Sequence, residues 1–146
     1  MSHSFLTVQD VLENYKTSIF ERDVEKFLGS YSKEIHLYDC WGKWECNGLS
    51  EWRESVESWF QELSEEGVDL KVTFSDISIE ECESVAFAKC TITFAAYAQS
   101  SSEKLRQITN RFTFGLCKVN ESWQIVHEHS SLPIDSATGK GMFHLK

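Results

Sequence analysis

Val68-Asp69-Leu70-Lys71-Val72-Thr73-Phe74 alternates apolar and polar residues without a break, and the fold class turns on that alternation. A period of two puts Val68, Leu70, Val72 and Phe74 on one face of a strand, the pattern of a half-buried sheet. The period persists downstream: 84–98, 104–118 and 122–132 are predicted strands, joined by the polar segments Glu80–Glu83, Gln99–Glu103 and Val119–Ser122. Several of these runs reach twelve or more residues. Strands of that length predict a strongly bent sheet rather than a flat one.

Upstream the pattern is mainly helical. Val8, Val11, Leu12, Tyr15 and Ile19 form an i, i+3, i+4, i+7 stripe, with Thr7 placed to cap it and Asp10 three residues on. Arg22-Asp23 breaks the stripe, and Asp23 is predicted to cap a short second helix running through Phe27, Leu28 and Tyr31. Glu34 to Trp41 then alternates, with Ile35, Leu37, Asp39 and Trp41 on one face and His36, Tyr38 and Cys40 on the other. A turn at Gly42-Lys43 leads into Trp44-Glu45-Cys46, and Asn47-Gly48 closes that segment. Ser50 is the expected cap of a third helix with the stripe Trp52, Val56, Trp59, Phe60 and Leu63, ended by Gly67. Helices followed by an antiparallel meander make an α+β layout with the helices on one face of the sheet. Pro133 ends the last strand, and 133–146 has no periodicity. One domain over 1–146 with an irregular tail is expected.

Composition narrows the class. Of 146 residues 41% are apolar and 25% charged, with one Pro and seven Gly, which excludes disordered, collagen-like and linker-rich chains. No apolar run suits a membrane span, and the first residues have neither the basic nor the apolar stretch of a secretory signal. The net charge of −9 repels polyanions, and the densest positive stretch, Lys104 to Arg111, holds only three cations. Nucleic acid and anionic membrane are therefore not expected partners. Five cysteines without a CxxC pair spell out neither a disulfide framework nor a structural zinc site. That usage suits a reducing cytoplasm.

Tyr15, then Tyr38-Asp39-Cys40-Trp41-Gly42-Lys43-Trp44-Glu45, then Arg53 to Trp59-Phe60, resembles the SnoaL-like group of the nuclear-transport-factor-2-like superfamily. Arg106-Gln107-Ile108-Thr109-Asn110-Arg111-Phe112-Thr113 and the stretch from Trp123 through His127-Glu128-His129 to Asp135 resemble it as well. The resemblance spans residues 5–140 and implies a cone, a curved cystatin-like sheet wrapped around helices, with an apolar pocket at one end. It implies a homodimer through the outer sheet face, and functions ranging over ketosteroid isomerases, cyclases, dehydratases and members with no assigned chemistry. In the isomerases a Tyr on the first helix donates to an oxyanion and an Asp 24 positions later takes the proton; Tyr15 and Asp39 match that spacing. The second oxyanion donor, an acid on a late strand, has no match in Phe112-Thr113-Phe114.

The residues themselves suggest a site. Asp39 shares a face with Ile35 and Leu37, where a carboxylate must be hydrogen-bonded, paired or raised in pKa, as a general base often is. His127 and His129, two apart, are expected on the pocket side with Trp123 and Ile125, and Glu128 on the opposite, surface side. The histidine pair suits metal chelation or proton relay. A third ligand would have to come from Asp39 or His36, so a polar lining bonded to Asp39, Tyr15 or a ligand is expected, with no metal and no cofactor. Trp41, Trp44 and Trp59 are candidate pocket walls beside Tyr97. Only one of Asn110 and Arg111 can face the pocket, since neighbours on a strand point opposite ways, and Asn110 shares its face with Phe112 and Phe114. Two functions remain open. One is a cofactor-independent isomerase, cyclase or dehydratase acting on a small apolar or carbonyl-containing molecule, with Asp39 as base and Tyr15, His127 and His129 as polarising groups. The other is a non-catalytic ligand-sensing or dimerisation module.

Overall fold

The computed structural model describes residues 4–146; the first three positions of the expected domain lie outside it. Helix α1 (Val8–Glu21) begins where predicted. Thr7 Oγ1 accepts from the Asp10 amide at 3.0 Å, and Asp10 Oδ2 accepts from the Thr7 amide at 3.1 Å. The reciprocal pair satisfies two donors that a helix start leaves open. Asp23 caps α2 (Val24–Leu28), which stops short of Tyr31. Tyr31 instead opens strand β1 (Tyr31–Tyr38), so Asp39 and Trp41 lie beyond the strand, in an irregular stretch. A two-residue strand β2 (Cys46–Asn47) leads to α3 (Leu49–Glu66). Its N-cap is Gly48 at φ 90°, without a side-chain cap, in place of the expected Ser50. Glycine tolerates that backbone angle, which a β-carbon would oppose.

Four long strands follow: β3 (Val68–Glu81), β4 (Val85–Ala98), β5 (Lys104–Val119) and β6 (Ser122–Ser131). The sheet order is β2-β1-β6-β5-β4-β3, antiparallel throughout except for the β1–β6 pair. Curvature comes from interruptions in the ladder. In β3 the register shifts between Ser75 and Ser78, with Asp76 at φ 55°. In β6 it shifts opposite Gly115 and Leu116, which pair with His127 and Ile125 and leave Val126 as the extra residue. A bulge bends and twists a strand locally, and here it also resets which side chains face inward.

The concave face packs on the helices around one cluster. Val8, Val11 and Ile19 of α1, Phe27 of α2 and Val56 of α3 meet Ile92, Phe114, Trp123 and Ile125 of the sheet. Tyr15 meets Phe27 at a tilt and Phe112 and Phe114 edge-on through its centre, and Phe112 and Phe114 stack nearly parallel on each other. Each fully buried large side chain stabilises the fold by about 1.5–3 kcal/mol relative to exposure.

Candidate functional site

Between α3 and the concave sheet face lies a cavity of about 830 Å³. Its walls are apolar, with Trp52, Trp59 and Leu63 from α3 facing Phe94, Ile108 and Phe112 from β4 and β5. Its polar groups fall in two sets: Tyr15, Asp39, Asn110 and Glu128 make one, and Glu54, Ser55, Ser58 and Glu62 of α3 line it with Lys43 and Arg106. Apolar walls with a few convergent polar groups are the usual form of a small-molecule site.

Glu128 reverses the expectation for the last strand. Trp123 and Ile125 face inward as predicted, but Val126 occupies the bulge, so the alternation restarts one residue late. Glu128 and Ser130 therefore face the interior, while His127 and His129 lie on the outer face of the sheet. The carboxyl of Glu128 is buried, with the residue only 3% exposed, and accepts a hydrogen bond from the Tyr31 hydroxyl. Burial pushes it up to about 8; the Tyr31 bond opposes that rise and the charge of Asp39 adds to it. At neutral pH the group is mostly a carboxylic acid.

Asp39 sits differently. Burial raises its pKa too, but the Ser130 hydroxyl, the amides of Cys40 and Trp41, and the Lys43 charge all hold it down. Ser130 Oγ donates to Asp39 Oδ1 at 3.1 Å and accepts from the Cys40 amide at 3.0 Å. Beside that link, Asn110 Nδ2 donates to Cys40 Sγ at 3.2 Å. Asp39 is thus the more acidic of two unequal carboxyls. Burial raises the Tyr15 phenol well above its ordinary value, and the nearby Glu128 and Asp39 charges reinforce it, so it stays a neutral donor.

The other expected site residues divide. Trp41 and Trp59 line the cavity, and Asn110, not Arg111, is the inward member of its pair. Arg111 points outward, its Nε donating to Ser131 Oγ at 3.3 Å. Trp44 is 87% exposed and is no wall. Tyr97 falls on the outer face with the Lys71 ammonium 4.5 Å from its ring centre, because β4 turns Phe94 and Ala96 inward and Tyr97 away. His127 stacks on His36 with ring centres 5.2 Å apart, and its Nδ1 donates to the His36 carbonyl at 2.7 Å. His129 packs against Tyr38. Among the described residues no three His, Cys, Asp or Glu side chains are grouped to hold a metal ion. Tyr31 and Trp52 belong to apolar helical stripes in the sequence, a pattern that reads as core, and neither carries a local signal of a cavity.

A family model described as a SnoaL-like domain matches residues 8–135. No curated protein matches the chain. Solved structures do. One is a nuclear transport factor 2-like protein of unknown function from Pseudomonas putida, 19% identical, covering 95% of this chain and 93% of that one at a TM-score of 0.80. Another is an uncharacterised cystatin-like protein from Caulobacter vibrioides, 15% identical, with 89% of each chain covered and a TM-score of 0.69. A third, from Novosphingobium aromaticivorans, is described as an aromatic ring hydroxylase by assignment; it is 12% identical over 89% of each chain at a TM-score of 0.66. At these identities the likeness is one of fold.

Proposed function

Because the chain belongs to the SnoaL-like domain family, we propose that its cavity binds a small, largely apolar carbonyl compound and moves a proton next to the carbonyl. The observation that carries this reading is the pair of unequal carboxyls, Asp39 and Glu128, lining one apolar cavity with Tyr15. Asp39, ionised, takes a proton from the carbon beside the carbonyl. The electron pair moves onto the carbonyl oxygen, where the Glu128 acid and the Tyr15 phenol donate hydrogen bonds to the developing charge. In an isomerisation of a β,γ-unsaturated ketone the proton returns from Asp39 to the γ-carbon of the dienolate. In a dehydration it goes to the β-hydroxyl, which leaves as water as the enolate collapses. In an aldol cyclisation it goes to the alkoxide formed where the enolate carbon attacks a second carbonyl. Unequal carboxyl pairs divide acid and base roles in this way. Glu128 supplies the late-strand acid that Phe112-Thr113-Phe114 lacks: it is the direct cross-strand partner of Phe114.

The test is exchange of the α-hydrogens of 2-tetralone with D₂O, followed by NMR. The wild-type chain should exceed buffer, and Asp39→Asn should lose about a hundredfold or more while still binding the ketone. Bound ketone without exchange would instead indicate a non-catalytic ligand-binding module.

We also infer a homodimer formed through the outer sheet face, where Phe87 and the outward Arg111 are exposed. All five cysteines are free, which favours a reducing compartment such as the cytoplasm. Among the described residues no helix is long and apolar enough to cross a membrane.

A further inference from the structure

Every wall of the cavity but one is helix or strand. The exception is the irregular stretch from Asp39 to Glu45, of which Asp39, Trp41, Gly42 and Lys43 line the cavity. Its two ends are tied down. Ser130 Oγ donates to Asp39 Oδ1 and accepts from the Cys40 amide, Asn110 Nδ2 donates to Cys40 Sγ, and Glu45 bonds His36 and Asn47. Between those ends only Lys43 is fastened, its Nζ donating to Ser55 Oγ of α3 at 3.1 Å in an exposed position. The bond from the Lys43 amide to the Trp41 carbonyl, at 2.6 Å, only closes the turn on itself. Trp41 is 48% exposed and Trp44 more so, so residues 41–44 have no side chain rooted in the core.

What Trp41 does have is a ring to lie on. Phe143, in the segment after β6, stacks on it with ring centres 5.4 Å apart and planes 21° from parallel. The segment that presents Phe143 is closed on itself. The Asp135 amide donates to the Lys140 carbonyl at 2.8 Å, Gly139 donates back to Asp135 at 2.7 Å, and Met142 donates to the Pro133 carbonyl at 2.9 Å. Ile134 and Gly141 form a bridge across its base. Phe143 is thereby held from outside the cavity, on a small folded loop, against the least-fastened part of the cavity's wall.

We propose that Phe143 is an access-determining residue: by stacking on Trp41 it clasps the turn at residues 41–44 to the body of the protein and sets how readily a ligand enters and leaves. The inference rests on the reading of the cavity as a ligand site. Aromatic pairing acts only while the stretch is closed, so removing the Phe143 ring, which is not itself a wall of the cavity, favours the open arrangement without changing the walls that hold the ligand. Entry and exit should then quicken together. Because Phe143 acts through Trp41, removing both rings should cost no more than removing one.

Two measurements on the full chain test this. Hydrogen–deuterium exchange needs no ligand: Phe143→Ala should speed exchange of amides in 41–44 by about 3–10-fold, the size of a lost aromatic pair, and leave β5 unchanged. Phe143→Tyr, which keeps a ring, should restore the wild-type rate. Unchanged exchange in Phe143→Ala overturns the clasp. In stopped-flow with the neutral probe N-phenyl-1-naphthylamine, association and dissociation should both rise about 3–10-fold in Phe143→Ala and in Trp41→Ala, with no further rise in the double variant. Faster exchange with probe rates within twofold of wild type, or single effects that multiply in the double variant, overturns control of access. If wild-type protein binds no probe, the cavity reading itself fails and access control fails with it, whereas the exchange result still decides whether the clasp exists.

Discussion

Glu128 couples the cavity to pH. Its folded pKa is about 8, against an ordinary carboxyl of 4.5, so the native state holds a proton that the unfolded chain releases between those values. Stability should be fully present below the unfolded value and fall as pH rises through the window from there to the folded one, with a slope of up to about 1.4 kcal/mol per pH unit. Asp39, also raised, adds in the same direction. Urea unfolding at pH 5, 6.5 and 8 should show a decline for wild type that Glu128→Gln flattens, since an amide does not titrate. A slope identical in the variant would place the titration elsewhere. Trp123, 1% exposed at the start of the same strand, is a purely structural counterpart. Trp123→Ala should cost about 3–5 kcal/mol in the same unfolding experiment, as a large-to-small core change. A loss well under 1 kcal/mol would mean that the indole is not in the core.

At the scale of elements, much was readable where local chemistry decides. Thr7 with Asp10 marked the start of α1, Asp23 the start of α2 and Gly67 the end of α3, because capping needs only residues a few positions apart. In β5 alternation placed Asn110 with Phe112 and Phe114, whereas in β4 Tyr97, expected at the cavity, faces the other way. The last strand did not follow, because the alternation of Trp123, Ile125, His127 and His129 is unbroken on paper and Val126 looks like any other residue. The bulge exists only as a relation between two strands, Gly115 and Leu116 on one and His127 and Ile125 on the other. One extra residue exchanges the faces of all that follow it. This has a direct check. His127→Ala and His129→Ala should each change the affinity for N-phenyl-1-naphthylamine less than twofold, since both rings lie behind the sheet. A tenfold loss in either would restore the expected parity and remove Glu128 from the cavity.

For the whole molecule, the outer sheet face is the surface that the helices leave uncovered. Thr93 and Thr109 bond each other there at 3.0 Å with Arg111 two residues on, and the three histidines 36, 127 and 129 lie further along the sheet, level with Thr113 and Gly115. If that face joins two copies, sedimentation should report a dimer, and Arg111→Glu should shift it toward monomer by replacing a positive charge with a negative one on the face where two chains of net charge −9 meet. A wild-type monomer at micromolar concentration would remove the dimer from the reading.

The sequence by itself determined the order of helices and strands, the bent antiparallel sheet, and the nomination of Tyr15 and Asp39, with Asn110 and Arg111 as alternatives that only the structure separated. Each of those rests on periodicity, on a cap or on the resemblance carried by quoted residues, all of which are written along the chain. Only the tertiary structure decided that Glu128 is the second acid, that Tyr31 holds it, that the histidines and Tyr97 face away, and that Phe143 reaches Trp41. Those facts depend on which residues meet across strands and loops far apart in sequence. Tyr31 and Glu128 are 97 positions apart, and a single unpaired residue between Ile125 and His127 settles which way the acid points.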